Sequence, residues 1–276
     1  MVQLAGLRVA VTGGAQGIGR AIGESLIGAG ARVMLGDIRE TTVKQTATEL
    51  GAKGRHLDVT DPASVELFLH RADVELDGLD VLVNNAGIMP IGPFLDTDPG
   101  VIGRTVGVNL LGVLTGTRLA GIRFVERGAG HIINIASVMG AVTSPNAATY
   151  CATKSAVVAL SAALRQEWRG SGVKVSAICP GFVRTELIAG MSPPRRLERF
   201  MVVNPDDVAN AVVTELRRGS SRTVFVPKAV GLVARGSAPL PTAIVDAVFR
   251  WSGGTRVTAG LDRQQRAAYQ ARIEGR

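Results

Sequence analysis

Three side chains near the middle of the sequence, Ser137, Tyr150 and Lys154, have the types and the spacing of a proton-transfer centre. Apolar residues recur at helical spacing after Tyr150, and residues four apart on a helix lie one above the other. A phenol titrates near pH ~10, and a neighbouring ammonium and the positive end of a helix dipole both lower that pKa. With Ser137 bonded to a substrate oxygen, the sequence predicts an acid–base centre that adds or removes the proton of an alcohol. A packed ring beside a solvated amine would explain the same pair of residues.

A glycine-rich loop stands where a nucleotide-binding loop would be needed. Residues 7–11 are an apolar run typical of a buried strand, glycines recur through residues 12–19, and a helical pattern follows. Glycines let the backbone approach phosphate closely, and the N-terminus of a helix binds its negative charge. The spacing is Gly-x3-Gly-x-Gly rather than the commoner Gly-x-Gly-x2-Gly, and a bare turn would also account for it.

Asp37 follows the second predicted strand, residues 32–36, about 20 residues beyond the glycine loop. A carboxylate there can accept hydrogen bonds from a ribose diol and would repel a 2′-phosphate, which favours NAD over NADP. Arg39 weakens this preference, because an arginine could fold over a 2′-phosphate. Alternatively, Asp37 would cap a helix over residues 40–50.

The elements that must position these residues are short apolar runs alternating with helical patterns. We predict strands over residues 7–11, 32–36, 55–59, 79–83, 131–135, 173–178 and 223–226. This alternation predicts an α/β fold, a doubly wound parallel sheet of seven strands with helices on both faces. Ligands bind beyond the carboxyl ends of such strands, where the polar residues of this sequence collect. Residues 97–127 are expected to hold one long helix with Asn109 inside it.

Composition and charge narrow the classes of function. Two cysteines and three scattered histidines give neither a disulfide framework nor a metal site. The few residues before the first strand leave no room for a signal peptide, and no run reaches the ~18 residues of a membrane span, so we expect a cytoplasmic protein. Residues 1–183 hold 16 basic and 15 acidic side chains, whereas residues 184–276 hold 15 and 8. Residues 184–276 therefore carry most of the net charge of +8. They contain no basic patch interleaved with aromatic residues, so nucleic acid is not an expected partner.

Taken together, these motifs resemble the short-chain dehydrogenase/reductase family over residues 7–226. The resemblance rests on the order and spacing of the 12–19 loop, Asp58-Val59, Asn84-Asn85-Ala86-Gly87, Asn109, Ser137, Tyr150-x3-Lys154, and Pro180-Gly181 with Thr185. It implies a Rossmann-type domain that carries cofactor and substrate together. It also implies reversible hydride transfer between a nicotinamide and an alcohol or carbonyl, and assembly into a homodimer or homotetramer through the long helices.

The resemblance implies a role for each catalytic position. Tyr150 would take the hydroxyl proton and return it in reduction, and Ser137 would fix the substrate oxygen. Lys154 would hold the nicotinamide ribose and lower the phenol pKa. Asn109 would keep a water in a proton path to Lys154; a buried amide joining helix turns is an equal alternative.

The resemblance also implies which residues bind the cofactor. Asp58 and Val59 would contact the adenine, and Thr185 would bond the carboxamide. The full set is Gly13, Gln16, Gly17, Ile18, Gly19, Asp37, Asp58, Val59, Asn85, Ala86, Gly87, Tyr150, Lys154, Pro180, Gly181, Val183 and Thr185.

Residues 187–203 lie where the family places its substrate-binding segment. They are mostly apolar with interspersed arginines, so we expect a lipophilic alcohol or ketone, such as a lipid, a retinoid, a steroid-like or an aromatic compound; plain core packing is the alternative. Other functions to weigh are an NADP-dependent carbonyl reductase, a catalytically silent nucleotide-binding protein, and an epimerase or dehydratase on a nucleotide-sugar, which would need a larger carboxyl-terminal domain.

The chain divides into a dehydrogenase domain over residues 1–228 and a basic extension over residues 229–276. Residues 241–251 can form an amphipathic helix, which would make weak contact with a membrane surface, cover the substrate entrance, or pack on its own domain or a neighbouring subunit. Residues 253–276 are polar and arginine-rich, and we expect them to be mobile or draped over a partner.

Overall fold

The computed structural model describes residues 1–191, 198, 201–237 and 263–274. Seven parallel strands form one sheet in the order β3-β2-β1-β4-β5-β6-β9. Strands β2 and β3 are added on one side of β1, and the later strands are added on its other side, beginning with β4. The strands of this sheet are β1 (Arg8–Thr12), β2 (Arg32–Asp37), β3 (Lys53–His56), β4 (Val81–Asn84), β5 (Gly130–Ile135), β6 (Val173–Pro180) and β9 (Thr223–Val226). Between β6 and β9, β7 (Phe182–Val183) pairs with β8 (Val202–Val203) in a separate two-stranded sheet. The predicted doubly wound parallel fold is confirmed.

Helices cover both faces of the sheet. They are α1 (Gly17–Gly28), α2 (Glu40–Leu50), α3 (Pro62–Leu76), α4 (Pro99–Val106), α5 (Gly112–Arg127), α6 (Ala148–Glu167), α7 (Pro205–Arg218), α8 (Lys228–Ser237) and α9 (Arg263–Glu274). Alternation along β1 explains the two layers, because successive side chains of a strand point to opposite faces. Val9 and Val11 pack with α1, α2 and α7, whereas Ala10 between them packs with α3 and α5.

The boundaries of two predicted elements were wrong. The third strand ends at His56 rather than at residue 59, because the Asp58 carboxylate accepts hydrogen bonds from the backbone N–H and hydroxyl of Thr60, at 2.8 and 2.7 Å, and turns the chain out of the sheet. The long helix over residues 97–127 is present, but it begins at Pro99 and contains a π-helical segment at Gly107–Leu111, with α4 before it and α5 after it.

Part of the tail belongs to the folded domain. Helix α9 packs against α4, where the Arg104 Nε donates to the Ile273 carbonyl at 2.9 Å, and Arg266, Tyr269 and Ile273 are all buried. The expectation that residues 253–276 are mobile or draped over a partner was therefore wrong for residues 263–274. The amphipathic helix predicted at residues 241–251 lies outside the described residues, as do residues 253–262.

Among the described residues, one continuous helical stretch, Pro99–Arg127, has the length and apolar composition of a membrane span, with 44% of its most apolar window buried. Core helices of globular proteins pass the same test, so this is weak evidence for a span. Here the stretch covers the sheet, with Ala120 and Phe124 in the core.

Candidate active site

One cavity of about 700 Å³ lies beyond the carboxyl ends of the strands, where the sheet order reverses. Its walls contain every residue predicted for catalysis or cofactor binding except Gly19 and Asn109, which lie directly behind it. Among the residues that the structure describes, no group of three His, Cys, Asp or Glu side chains could hold a metal.

The glycine loop is held against the end of β4 by side chains of both segments. Asn85 donates from Nδ2 to the carbonyls of Thr12 and Gly13 at 2.9 and 3.0 Å, and the Thr12 hydroxyl accepts from the backbone N–H groups of Asn85 and Ala86, each at 3.0 Å. A Cβ at Gly19 would collide with the Gly13 carbonyl oxygen and lie 2.6 Å from Asn85 Nδ2. The loop therefore keeps the N-terminus of α1 close to the cavity, in a form that admits only glycine there.

Asp37 ends β2 with its carboxylate turned to the loop rather than serving a helix end. Its Oδ2 accepts from the Ala15 N–H at 3.1 Å, and its Oδ1 accepts from the backbone N–H and Nε of Arg39 at 3.0 and 3.4 Å. Arg39 Nη1 donates to Gln16 Oε1 at 2.9 Å, and Gln16 Nε2 donates to Glu186 Oε2 at 2.6 Å. A polar bridge thus crosses from the end of β2 to the segment after β7.

Tyr150 and Lys154 lie in the first turns of α6, and both are buried in the cavity wall. Lys154 Nζ donates to the Ile135 carbonyl at the end of β5, at 2.9 Å, and lies 5.7 Å from the centre of the Tyr150 ring. The Ser137 hydroxyl is hydrogen-bonded to the Tyr150 phenol and accepts from the Met139 N–H at 3.1 Å. Ser137, Tyr150 and Lys154 therefore lie together in the cavity wall, as their types and spacing predict.

The direction of the Tyr150 pKa differs from the sequence prediction. Burial raises the pKa of the phenol well above its ordinary value, and the hydrogen bond with Ser137 offsets only part of that rise. Burial also lowers the pKa of Lys154, to about 8. The prediction of an acidified phenol was wrong for the protein chain alone, because removing both groups from water penalises their charged forms.

Asn109 sits inside the π-helical segment and joins it to the loop after β4. Its Nδ2 donates to the Ile88 carbonyl and its Oδ1 accepts from the Ile88 N–H, both at 2.8 Å, with Thr153 Oγ1 at 3.3 Å from Nδ2. A Cβ added at Gly87 would lie 3.4 Å from Asn109 Oδ1 and 3.5 Å from Lys154 Nζ, so the two polar groups flank one small space. The amide does not join helix turns, and its role toward a water stays a prediction.

The segment after β6 closes the cavity from the other side. Thr185 donates to the Val183 carbonyl at 3.3 Å, and a Cβ at Gly17 would lie 3.3 Å from Thr185 Cγ2, so this segment touches the glycine loop. Pro180 and Gly181 lie at the cavity edge of the same segment. A Cβ at Gly181 would collide with the Met201 carbonyl, which explains a glycine at that position.

Among the cavity-wall residues that sequence reasoning did not assign to the site are Tyr269 and Ile273 of α9. The Tyr269 hydroxyl accepts from the Met89 N–H at 2.9 Å, in the loop that follows β4. A signal existed, because Arg266, Tyr269 and Ile273 stand at helical spacing and all three are buried. The polar composition around them concealed it.

Comparison with known proteins agrees with this architecture. A family model described as short chain dehydrogenase matches residues 8–195. The chain is 36% identical over 258 residues to "Probable oxidoreductase EphD" of Mycobacterium tuberculosis, covering 86% of this chain and 43% of that protein, so it spans less than half the length of this relative. It is 34% identical over 245 residues to 2-(S)-hydroxypropyl-CoM dehydrogenase 3 of Xanthobacter autotrophicus, covering 83% of this chain and 95% of that one. A crystal structure of 3-ketoacyl-(acyl-carrier-protein) reductase from Brucella melitensis complexed with NADH superposes with a TM-score of 0.73 at 27% identity, over 81% of this chain and 97% of that one.

Proposed function

The chain belongs to the short-chain dehydrogenase family, and from that premise we propose that it transfers hydride between NAD(H) and a lipophilic secondary alcohol or ketone. Membership makes it an NAD(P)-dependent dehydrogenase or reductase. The names of two similar proteins contain the functional groups of this reaction, since a 2-hydroxypropyl group is a secondary alcohol and a 3-ketoacyl group contains a ketone. The observation that carries the proposal is the meeting of Ser137, Tyr150 and Lys154 in the cavity that the glycine loop borders.

The cavity fits a dinucleotide on the evidence of its backbone. The position of Gly19 excludes any side chain, and the N-terminus of α1 opens toward the space that the loop borders. Gly13, Gln16, Gly17, Ile18 and Asn85 would hold the pyrophosphate and its neighbouring groups, and Thr185 would hold the carboxamide. A bound nicotinamide would supply or accept the hydride.

The protein's own part of the reaction is the movement of one proton. In reduction, Tyr150 would give its phenolic proton to the carbonyl oxygen while Ser137 holds that oxygen by a hydrogen bond. A raised pKa keeps the phenol protonated at neutral pH, which suits an acid. The Lys154 ammonium would then stabilise the phenolate and lie beside the small space next to Asn109 through which the proton returns. In oxidation the same steps run in reverse.

Two observations bear on the choice between NAD and NADP. The Asp37 carboxylate is nearly buried at the end of β2, where it would accept hydrogen bonds from a ribose diol. Arg39 is ion-paired with Asp37 at 3.4 Å, so part of its charge is neutralised by the same carboxylate that would repel a 2′-phosphate. We therefore propose NAD as the cofactor, with NADP as the weaker alternative.

The lipophilic substrate is proposed from the side chains around Tyr150. Of the apolar cluster that contains the phenol, Met89, Val138, Met139 and Phe182 line the cavity, as do Leu187 and Ile188, which pack against the cluster. Apolar walls with a few fixed polar groups are typical of sites that take apolar small molecules.

A homo-oligomer is proposed from the outer face of α5 and α6. Leu111, Leu114, Ile122 and Val125 are exposed there, and a cleft of about 500 Å³ runs between the two helices beside Trp168. Contiguous exposed apolar surface of this kind favours burial against another subunit. Mass measured by light scattering tests this proposal, and a monomer at micromolar concentration would contradict it.

The activity is tested by following NADH and NADPH oxidation with a panel of aryl ketones and 2-alkanones. We expect turnover with NADH on several apolar ketones, and slower turnover with NADPH. Binding of NADH without oxidation by any ketone, and without reduction of NAD⁺ by the matching alcohols, would contradict the proposed function.

A further inference from the structure

The carboxyl-terminal helix α9 forms part of the wall beside the reacting groups. Tyr269 and Ile273 line the same cavity as Tyr150 and Ser137, and both are more than nine-tenths buried. Tyr269 is near enough to Tyr150 to contribute to the rise in its pKa. The phenol ring of Tyr269 therefore lies in the wall of the cavity that holds Tyr150 and Ser137, against the loop that carries Met89.

The hydroxyl of Tyr269 is fixed by the backbone of the loop after β4. It accepts from the Met89 N–H at 2.9 Å, and the preceding residue, Ile88, is held on both sides by Asn109. The ring is thus tied to the loop that Asn109 joins to the π-helical segment, rather than resting on a free surface.

Arg266, one helical turn before Tyr269, clamps α9 onto two other segments. Its Nη1 donates to the carbonyls of Leu187 and Ala189 at 3.0 and 3.1 Å, its Nη2 donates to the Met89 carbonyl, and its guanidinium lies 4.9 Å from the centre of the Tyr269 ring. The side chain is only 2% exposed, and burial lowers its pKa. Burying an arginine is costly unless its N–H groups are bonded. The two terminal nitrogens of Arg266 donate to three carbonyls, whereas its buried Nε has no partner among the described residues, so these three bonds hold the side chain in one geometry.

We propose that Tyr269 is a specificity-determining residue that limits the size of the group carried beside the reacting carbon, and that Arg266 is the positioning residue that holds it there. This proposal rests on the proposed ketone reduction. In this arrangement the substrate end of the cavity is complete only when α9 is docked, so the tail of the chain sets which ketones fit.

The test uses a series in which only one substituent grows: acetophenone, propiophenone, butyrophenone and valerophenone, each with NADH and the full-length protein. For Tyr269→Ala we expect the ratio of kcat/KM for valerophenone over acetophenone to rise at least tenfold, because a pocket that gains room for methylenes discriminates by ~10-fold or more. Tyr269→Phe is the matched control, since it keeps the ring and loses only the hydroxyl, and its ratio should stay within about twofold of the wild type.

Arg266→Met tests the clamp. It keeps most of the side-chain volume and removes the donors to Leu187, Ala189 and Met89, so we expect the same direction of change as Tyr269→Ala, with NADH affinity unchanged. Tyr269→Leu is the second variant if Tyr269→Ala does not fold, and it should raise the same ratio by a smaller factor. A ratio that is equal in wild type and in a folded Tyr269→Ala or Tyr269→Leu protein overturns the proposal.

A readout without turnover separates this inference from the proposed function. Titration calorimetry of valerophenone and acetophenone into the protein saturated with NAD⁺, which has no hydride to give to a ketone, measures binding alone. If the wild type binds NADH and reduces no ketone, the proposed function fails. A higher valerophenone affinity in Tyr269→Ala would still support the proposed role of Tyr269 in limiting ligand size. The proposed role of Tyr269 is overturned if Tyr269→Ala shows no gain in valerophenone affinity relative to acetophenone, or if neither protein binds either ketone.

Discussion

The cofactor end and the substrate end of the cavity are assembled in different ways. At the cofactor end, each residue follows its strand directly: the glycine loop follows β1, Asp37 ends β2, and Asn85 follows β4. At the substrate end, Arg266 reaches back 177 positions to Met89 and 79 positions to Leu187. The residues of the first end are therefore placed by the strands that they follow, with the Gln16–Glu186 bond as a long-range contact, whereas the second end depends on docking of a distant helix.

This difference separates the part of the chain that the family model matches from a helix that lies beyond the match. The family model matches residues 8–195, which contain the whole cofactor end and the three reacting side chains, and α9 lies beyond that match. Chemistry and cofactor follow from the matched part. The proposed substrate preference depends in addition on segments after residue 187.

The largest effect is expected where the two ends meet, at Tyr150. Tyr150→Phe removes the proton donor and keeps the ring, so kcat for ketone reduction should fall about 10²- to 10⁴-fold, as for loss of a general acid. NADH affinity, measured by fluorescence, should change little. Tyr269→Phe is the matched control at the substrate end, and its kcat should remain within a few-fold of the wild type. Equal losses in both variants would contradict the distinct roles given to the two phenols.

The next effect isolates the cofactor end. A Cβ at Gly19 would collide with the Gly13 carbonyl and crowd Asn85, whereas a Cβ at Gly28 in the same helix meets nothing within 4 Å. The loop must move to relieve this overpacking, which costs roughly 1–3 kcal/mol, and NADH binding must restore it, so Gly19→Ala should weaken NADH binding by about 5- to 150-fold. Gly28→Ala should leave NADH affinity unchanged, with Tm equal or slightly higher.

The ketone preference of the phenone series should not change in Gly19→Ala, because that substitution does not touch the substrate end. A changed preference among the phenones in the remaining activity of Gly19→Ala would show that the two ends of the cavity are coupled and not independent.

Lys154 gives an effect on stability that depends on pH. Burial lowers its pKa from 10.5 to about 8 in the folded protein, so between those values the unfolded chain holds a proton that the folded chain has released. The free energy of unfolding should therefore rise with pH, by about 2 kcal/mol between pH 8 and 9.5. Lys154→Met lacks this titration and should lack the rise, although its absolute stability will also differ through the lost hydrogen bond to Ile135.

The measurement is denaturant unfolding of both proteins from pH 7.5 to 9.5. It stops there because the raised pKa of Tyr150 acts in the opposite direction: above pH ~10 the unfolded chain loses a phenolic proton that the folded chain keeps, and stability falls. Parallel curves for the two proteins would show that the lysine is not desolvated as the structure indicates.

The same contrast explains what could be predicted from the sequence. The seven parallel strands follow from periodicity, and the meeting of Ser137, Tyr150 and Lys154 follows from motif spacing, because parallel strands present their carboxyl ends at one edge. The pKa of Tyr150 could not be predicted, since its sign depends on how much water the folded cavity excludes. The position of Asn109 in a π-helical segment and the docking of α9 depend on packing between residues far apart in the chain, which local patterns do not encode.

The smallest effect concerns cofactor choice, which lies at the outer rim of the cofactor end. Arg39 donates to Asp37 and to Gln16, so its guanidinium is already held beside the place of a 2′-phosphate. Arg39→Ala removes a partly exposed positive charge, worth about 1 kcal/mol toward a phosphate, so the ratio of NADPH to NADH affinity should fall about fivefold. Arg20→Ala is a suitable control, because Arg20 is ion-paired with Glu49 and does not line the cavity. If Arg39→Ala weakens both cofactors equally, Arg39 serves the polar bridge to Gln16 and Glu186 rather than cofactor choice, and the preference must come from Asp37 alone.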